Sequence, residues 1–162
     1  MNLFVDTSVW SLALRRDAPS DQPEVERLVT ALQSGESVYT TGLILQELLQ
    51  GFSGPKARDQ IVDRFSALPL IVPNRQDHIE AALLRNTCRR AGIQVGTIDA
   101  LLARLCLRHD LELLTTDQDF VRIADRTHCA SGNRHEHAVT VSYRLPVVIF
   151  SRCAGRPGDA IG

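Results

Sequence analysis

Five acidic side chains carry the chemistry open to this sequence. Asp6 follows the apolar run Asn2-Leu3-Phe4-Val5, and Glu47 lies within Leu43-Ile44-Leu45-Gln46-Glu47-Leu48-Leu49. Asp99 opens Ala100-Leu101-Leu102-Ala103, and Asp117 and Asp119 follow Leu111-Glu112-Leu113-Leu114-Thr115-Thr116. Carboxylates are hard oxygen donors, the ligand type that Mg²⁺ and Mn²⁺ take together with retained waters. An ion so held activates water and stabilises charge on a phosphodiester during in-line displacement. Each acid also has a plainer reading. Asp6, taken alone, reads best as the N-cap of the next helix, and Asp117 or Asp119 fits a helix start equally well. Asp99 suits the first turn of a helix for the same dipole reason, with Thr97 as its N-cap. Glu47 leans the other way, because Leu43 and Ile44 at i−4 and i−3 lay its carboxylate along an apolar flank. Asp99, with Leu102 and Ala103 at i+3 and i+4, likewise leads the buried face of its helix instead of the wet one.

The elements that position these acids alternate. Residues 2–5 form a continuous apolar strand, and Thr7 or Ser8 caps the helix begun by Val9-Trp10. Val25, Leu28, Val29 and Leu32 have helical spacing, with Gly35 as the stop. Val38–Thr41 is a second strand, followed by an apolar helix through Glu47. A polar helix spans Lys56–Ser66, and Pro69–Pro73 holds a third strand or extended connection. Asp77–Arg90 reads as a helix with apolar positions Ile79, Ala82, Leu83 and Cys88, ending at Gly92. The helix after Thr97 ends near His109, where a cation suits a C-terminus, and Leu111–Thr115 returns as a strand. A short helix then runs to about Ala124, followed by polar loop from Arg126 to Glu136. Ala138–Leu145 alternates as a strand with one wet face, and Pro146–Phe150 is a possible last strand.

Such alternation predicts an α/β fold, a three-layer α/β/α sandwich around a mainly parallel sheet. In that architecture Asp6 and Asp117 leave the same edge of the sheet, where ligands bind. Asp99 heads the helix before the strand of Asp117, and Glu47 rides the helix after the second strand. Four carboxylates therefore converge, with Asp119 a fifth. Two like charges about 4 Å apart repel by roughly 4 kcal/mol at an effective dielectric of 20. Several such pairs would consume much of a domain's net stability of ~5–15 kcal/mol. A divalent cation is the expected counter-charge.

Composition sets the remaining bounds. The chain has 162 residues, 44% of them apolar and 23% charged, as expected of one ordinary globular domain. We place that domain at residues 1–150 and read 151–162 as a flexible tail. Met1 leads straight into a strand, with neither a basic n-region nor a long apolar h-region, so a cytoplasmic protein without membrane association is expected. Cys88, Cys106, Cys129 and Cys153 lack C-x-x-C spacing, which favours buried thiols over bridges. A zinc set from Cys129, His135 and His137 would lack a fourth ligand in paired spacing. Lys56 is the only lysine among 18 basic residues, and guanidinium forks suit phosphate. Compositional bias toward Ala, Gly and Arg explains the same count. Arg89 and Arg90, just before the loop that leads to Asp99, are either phosphate contacts or a solvated helix end.

Together, Phe4-Val5-Asp6-Thr7-Ser8-Val9-Trp10, Leu45-Gln46-Glu47-Leu48-Leu49-Gln50-Gly51, Gly96-Thr97-Ile98-Asp99-Ala100-Leu101-Leu102-Ala103 and Leu114-Thr115-Thr116-Asp117-Gln118-Asp119-Phe120 resemble the PIN domain. More closely they resemble its VapC branch, the ribonuclease toxins of bacterial toxin–antitoxin pairs. The likeness covers roughly residues 1–125. It implies an α/β/α sandwich, RNA cleavage dependent on Mg²⁺ or Mn²⁺, homodimerisation, and inhibition by a small VapB-like antitoxin. Carried over by position, it implies Asp6, Glu47, Asp99 and Asp117 as the catalytic acids. Asp6, Asp99, Asp117 and Asp119 would bind metal, with Ser8 and Thr115 in support. Beyond Ala124 the chain departs from the family pattern.

Two other acid-rich architectures fit less well. A receiver-type domain needs a lysine beside its acids, and Lys56 lies in a polar helix. A phosphatase with an aspartate nucleophile places a second Asp two residues after the first, where this chain has Ser8. The remaining alternative is a catalytically inert PIN scaffold that binds metal, RNA or an antitoxin without cutting.

Overall fold

Leu3, Phe4 and Val5 are fully buried, the mark of a strand covered on both faces. This strand, β1 (Asn2–Val5), is the centre of a parallel sheet. The computed structural model describes residues 2–15, 22–52, 54–129 and 147–148, with side chains described as far as Ala124 in the last helix. After β1 come α1 (Thr7–Leu14), α2 (Pro23–Ser34), β2 (Ser37–Thr41), α3 (Gly42–Gly51), α4 (Pro55–Ser66) and β3 (Leu70–Ile71). Then follow α5 (Arg75–Arg90), α6 (Thr97–His109), β4 (Glu112–Leu114), α7 (Gln118–Cys129) and β5 (Val147–Val148). The strand order is β3-β2-β1-β4-β5, every pairing is parallel, and β1 faces β4 in the register Leu3–Glu112, Phe4–Leu113, Val5–Leu114.

That order reverses direction between β1 and β4. The chain winds outward from β1 through β2 to β3, then crosses back over the sheet to β4. Right-handed crossovers put the two halves of the winding on opposite faces. Helix contacts agree: α1 touches α2 and α3, and α3 touches α4, while α5 packs on α6. The expected three-layer α/β/α sandwich is therefore what forms. Among the described residues, no helix is long and apolar enough to cross a membrane.

Local chemistry sets the element ends. Pro23 starts α2, and Gly35, at φ 74°, ends it with the left-handed turn that glycine adopts freely. Helix α6 buries Ala100, Leu101, Leu102, Ala103, Leu105 and Cys106, so it is covered nearly all round. Cys88 and Cys106 are both buried thiols, as expected, and desolvation pushes the Cys106 thiol well above its ordinary range.

Several expected details differ. Helix α5 starts at Arg75 because Asn74 and Asp77 form a reciprocal capping box. It also buries another face: Ile79 and Leu83 are exposed, while Asp77, Ala81 and Cys88 turn inward. The inner face is held by charge, with Arg108 Nη1 donating to Asp77 Oδ2 and Arg104 bridging to Glu80 at 2.7 Å. On α2, likewise, Val29 and Leu32 are exposed and Glu24, Leu28 and Ala31 are buried. Helix α7 continues through the expected loop start at Arg126 to Cys129. The possible last strand is present as Val147–Val148, paired with β4. The alternating segment 138–145, His135, His137 and the tail 151–162 lie outside the described residues.

Edge strand β3 is two residues long and lies between Pro69 and Pro73, with Leu70 and Val72 exposed. Asp77 is 1% exposed, and its Oδ1 is buried with no hydrogen-bond partner among the described residues. Removing the guanidinium opposite would strand that charge. Arg108→Ala is expected to lower the unfolding free energy by about 2–3 kcal/mol in a urea titration. A loss below ~0.5 kcal/mol, the scale of ordinary surface changes, would show that the pair does not hold α5 to α6.

Candidate active site

The reversal of strand order between β1 and β4 opens a crevice beyond their C-terminal ends, the usual ligand position in an open α/β sheet. Asp6 leaves β1 there, and its N–H donates to Leu114 O at 3.0 Å, carrying the ladder one step past the strands. Asp6 occupies the N-cap position of α1 but makes no capping hydrogen bond. Its Oδ2 instead accepts from Ser8 Oγ at 2.7 Å and from Thr115 Oγ1 at 2.9 Å. Each hydroxyl spends its one proton on Asp6, leaving its lone pairs for the β4 loop. Accordingly Ser8 Oγ accepts the Thr116 N–H at 3.2 Å and Thr115 Oγ1 accepts the Asp117 N–H at 3.0 Å. Ser8 and Thr115 thus hold Asp6 and tie the two strand ends together. Neither Thr7 nor Ser8 caps α1, because both hydroxyls face acids.

The other acids are fixed from separate elements. Thr7 Oγ1 donates to Glu47 Oε2 at 2.6 Å, joining α1 to α3. Asp117 Oδ1 accepts the Asp119 N–H at 2.9 Å, so Asp117 does cap α7 as its plainer reading held. Asp99 lies in the first turn of α6, whose N-cap is Gly96 and not the expected Thr97. The absence of a side chain at position 96 makes this possible: a Cβ there would stand 2.3 Å from Asp99 Oδ2.

Asp99 is half-buried, and its carboxyl is held above the ordinary aspartate range. Burial is the main cause, followed by the charges of Asp117 and Asp6 and, more weakly, Glu47; a hydrogen bond from the Gly96 N–H opposes them. Acids from four separate elements therefore act on one another at this end of the sheet. Asp119 is placed differently, with its Oδ1 accepting from Arg122 Nη1 at 2.7 Å on the outer side of α7. Arg89 and Arg90 are exposed in the last turn of α5, next to the turn at Gly92.

Among the described residues, no group of three or more His, Cys, Asp or Glu side chains is arranged as a ready-made metal cage. One oxygen each of Asp6, Glu47 and Asp117 is committed to a hydroxyl or N–H. The donor set nonetheless has the chemistry of a hard divalent-cation site. It is all carboxylate, burial together with the neighbouring charges raises Asp99, and among the described residues no salt bridge neutralises any of the four.

Thr7 and Gly96 escaped sequence reasoning. Thr7 looked like a cap, and its pairing with a residue forty positions away has no local signature. Gly96 stood in the Gly96-Thr97-Ile98-Asp99 run but gave no sign of which side chain needed its space.

A doubly wound parallel sheet with carboxylates near its switch point defines the class, a three-layer α/β protein with an acidic crevice. The PIN domain profile matches residues 3–126, and the chain belongs to the PIN-domain family, on its VapC branch. Ribonuclease VapC11 of Mycobacterium tuberculosis is 30% identical over 133 residues, covering 81% of this chain and 98% of that protein. Among solved structures, VapBC2 from Rickettsia felis, bound to a DNA fragment from its promoter, superposes with a TM-score of 0.66 at 17% identity. It covers 93% of this chain and 100% of that one. VapBC-1 from nontypeable Haemophilus influenzae gives 0.61 at 21% identity, over 77% and 94% of the two chains.

The crowding has a measurable consequence. Because the folded state raises the proton affinity of Asp99, its charged form costs stability. That cost is absent below the ordinary aspartate range, grows as pH rises toward the folded-state pKa, and is complete above it. In chelator, Asp99→Asn is expected to melt higher than the parent at pH 7 and to converge with it in acid. Equal melting temperatures at neutral pH would contradict the raised proton affinity of Asp99.

Proposed function

We propose that this chain is a divalent-metal-dependent endoribonuclease, the toxin of a toxin–antitoxin pair, acting in the cytoplasm. The observation that carries the reading is the tie of Asp6 to the Asp117 backbone through Thr115 and of Glu47 to α1 through Thr7, at the switch point of a VapC-type fold. The charges of Asp117, Asp6 and Glu47 acting on Asp99, with no salt-bridged cation among the described residues, support it. The name ribonuclease on its M. tuberculosis relative points to RNA as the substrate. Mg²⁺ is the proposed cofactor, with Mn²⁺ as a substitute.

In this reading Asp6, Glu47, Asp99 and Asp117 are the catalytic acids, and Asp6, Asp99 and Asp117 hold the ion. Asp119, whose Oδ1 is held by Arg122, would join them. The bound ion supplies charge neutralisation, activation of water and Lewis-acid stabilisation of the phosphodiester. The chain's own residues supply position. Ser8 and Thr115 fix Asp6, Thr7 fixes Glu47, and the α7 cap fixes Asp117. With these groups held before substrate arrives, little reorganisation is left for the reacting step.

A VapB-like antitoxin and a second copy of the chain are the proposed protein partners. Two exposed apolar pairs on helices offer faces for them: Val29 with Leu32 on α2, and Ile79 with Leu83 on α5. The antitoxin proposal is supported by the solved relatives being VapBC complexes.

RNA incubated with the protein and Mg²⁺, with chelator, and with the Asp6→Asn variant provides the test. Cleavage is expected only in the first arm, and Asp6→Asn should reduce its rate at least ~100-fold, the scale of losing an electrostatic group of the site. Identical background in all three arms would instead support an inert scaffold. Arg89 and Arg90 are proposed phosphate contacts, so replacing both with Ala should weaken RNA binding and reduce the slope of log affinity against log salt. An unchanged slope would assign them to a solvated helix end.

A further inference from the structure

We propose that Arg85 is a positioning residue for Asp99, acting through the single peptide group that joins Val95 to Gly96. The inference rests on the reading of Asp99 as a metal-binding acid. Arg85 Nε, from the middle of α5, donates to the Val95 carbonyl oxygen at 2.9 Å. The N–H on the other side of that peptide bond belongs to Gly96, which lies directly against the Asp99 carboxylate and favours its charged form. The contact is also steric, since Asp99 Oδ2 occupies the space a Cβ on Gly96 would need.

The peptide group is planar and trans, so its C=O and N–H point in opposite directions. A guanidinium on the oxygen and a carboxylate on the hydrogen therefore polarise it in the same sense, and each bond strengthens the other. The plane has little freedom to turn away. Val95 is 5% exposed and anchors the loop, while Arg85, otherwise exposed, holds its carbonyl. The loop enters from a left-handed turn at Gly92 and passes directly into α6. The orientation of this one peptide thus decides where the first acid of α6 points. Position is the quantity such outer contacts control, and losing one at a metal site typically costs ~10–100-fold in affinity.

The test compares Mn²⁺ binding by calorimetry in the full chain and in Asp99→Asn, Arg85→Leu, Arg85→Lys and Gly96→Ala. The Gly96 amide resonance is followed in the metal-free proteins. Arg85→Leu is expected to weaken Mn²⁺ binding by about ten-fold at an unchanged melting temperature. Its Gly96 amide proton should move upfield, and Arg85→Lys should recover most of both effects. Gly96→Ala approaches the same contact from the other side and is expected to weaken binding similarly. If Asp99→Asn weakens Mn²⁺ binding while Arg85→Leu and Gly96→Ala leave it intact, the role of Arg85 is overturned and the metal reading stands. If Asp99→Asn itself binds Mn²⁺ like the parent, the metal reading of Asp99 falls, and the inference falls with it. A Gly96 resonance unmoved in Arg85→Leu would overturn the coupling on its own.

Discussion

Asp6 is buried, and one of its oxygens is the meeting point of two hydroxyls from different strand ends. Those hydroxyls in turn receive the backbone N–H groups of Thr116 and Asp117. Five groups from the ends of β1 and β4 are thereby locked into one arrangement centred on a carboxylate. Buried charge is tolerated only when it is hydrogen-bonded or paired, and here hydrogen bonds meet the requirement. Without them the two strand ends would splay under the repulsion among Asp6, Asp99 and Asp117. The site is consequently prearranged by neutral donors, which leaves its negative charge uncancelled and available to a cation.

The fold handles charge differently on the far side of the sheet. Between α5 and α6, Asp77 meets Arg108 and Glu80 meets Arg104, two inter-helix ion pairs along an antiparallel seam. Near the opposite end of the sheet's winding, Arg27 grips Glu36 through both nitrogens and approaches Glu112. Each of these acids has a guanidinium, and among the described residues the acids of the crevice have none. With a single lysine in the chain, arginine makes almost all of these ties, and its planar fork suits fixed geometry better than a flexible ammonium. The seam fixes α6 against α5, and α6 carries Asp99. The seam and the half-buried acid are thus linked through a single helix.

Much of this was legible before any coordinates. Continuous apolar runs ending in acids marked β1 and β4, because strands buried on both faces leave no alternation to misread. Gly35 and Gly92 marked turns through their backbone freedom. The choice of buried face on α5 was not legible, because Ile79 and Leu83 satisfy helical apolar spacing yet face outward. The inner face carries Asp77 and Glu80, which look like surface residues until Arg104 and Arg108 are brought opposite them by tertiary packing. Residue type and position relative to strand ends single out the acidic quartet. What each acid touches was not legible: the Thr7–Glu47 bond and the space under Asp99 at Gly96 depend on chain segments that meet only in three dimensions. Asp119 belongs with the quartet by spacing but pairs with Arg122 one turn along its own helix.

The outer strand β3 bears on how the protein meets other molecules. An exposed sheet edge is an open ladder for another chain, and this one is only two residues long with a proline on either side. Proline offers no N–H, so an approaching strand would find its bonding pattern interrupted at both ends. Leu70 and Val72 can stay exposed there without inviting sheet extension or fibril growth. Association is steered away from the backbone and onto helical side chains, where shape and charge can discriminate between partners.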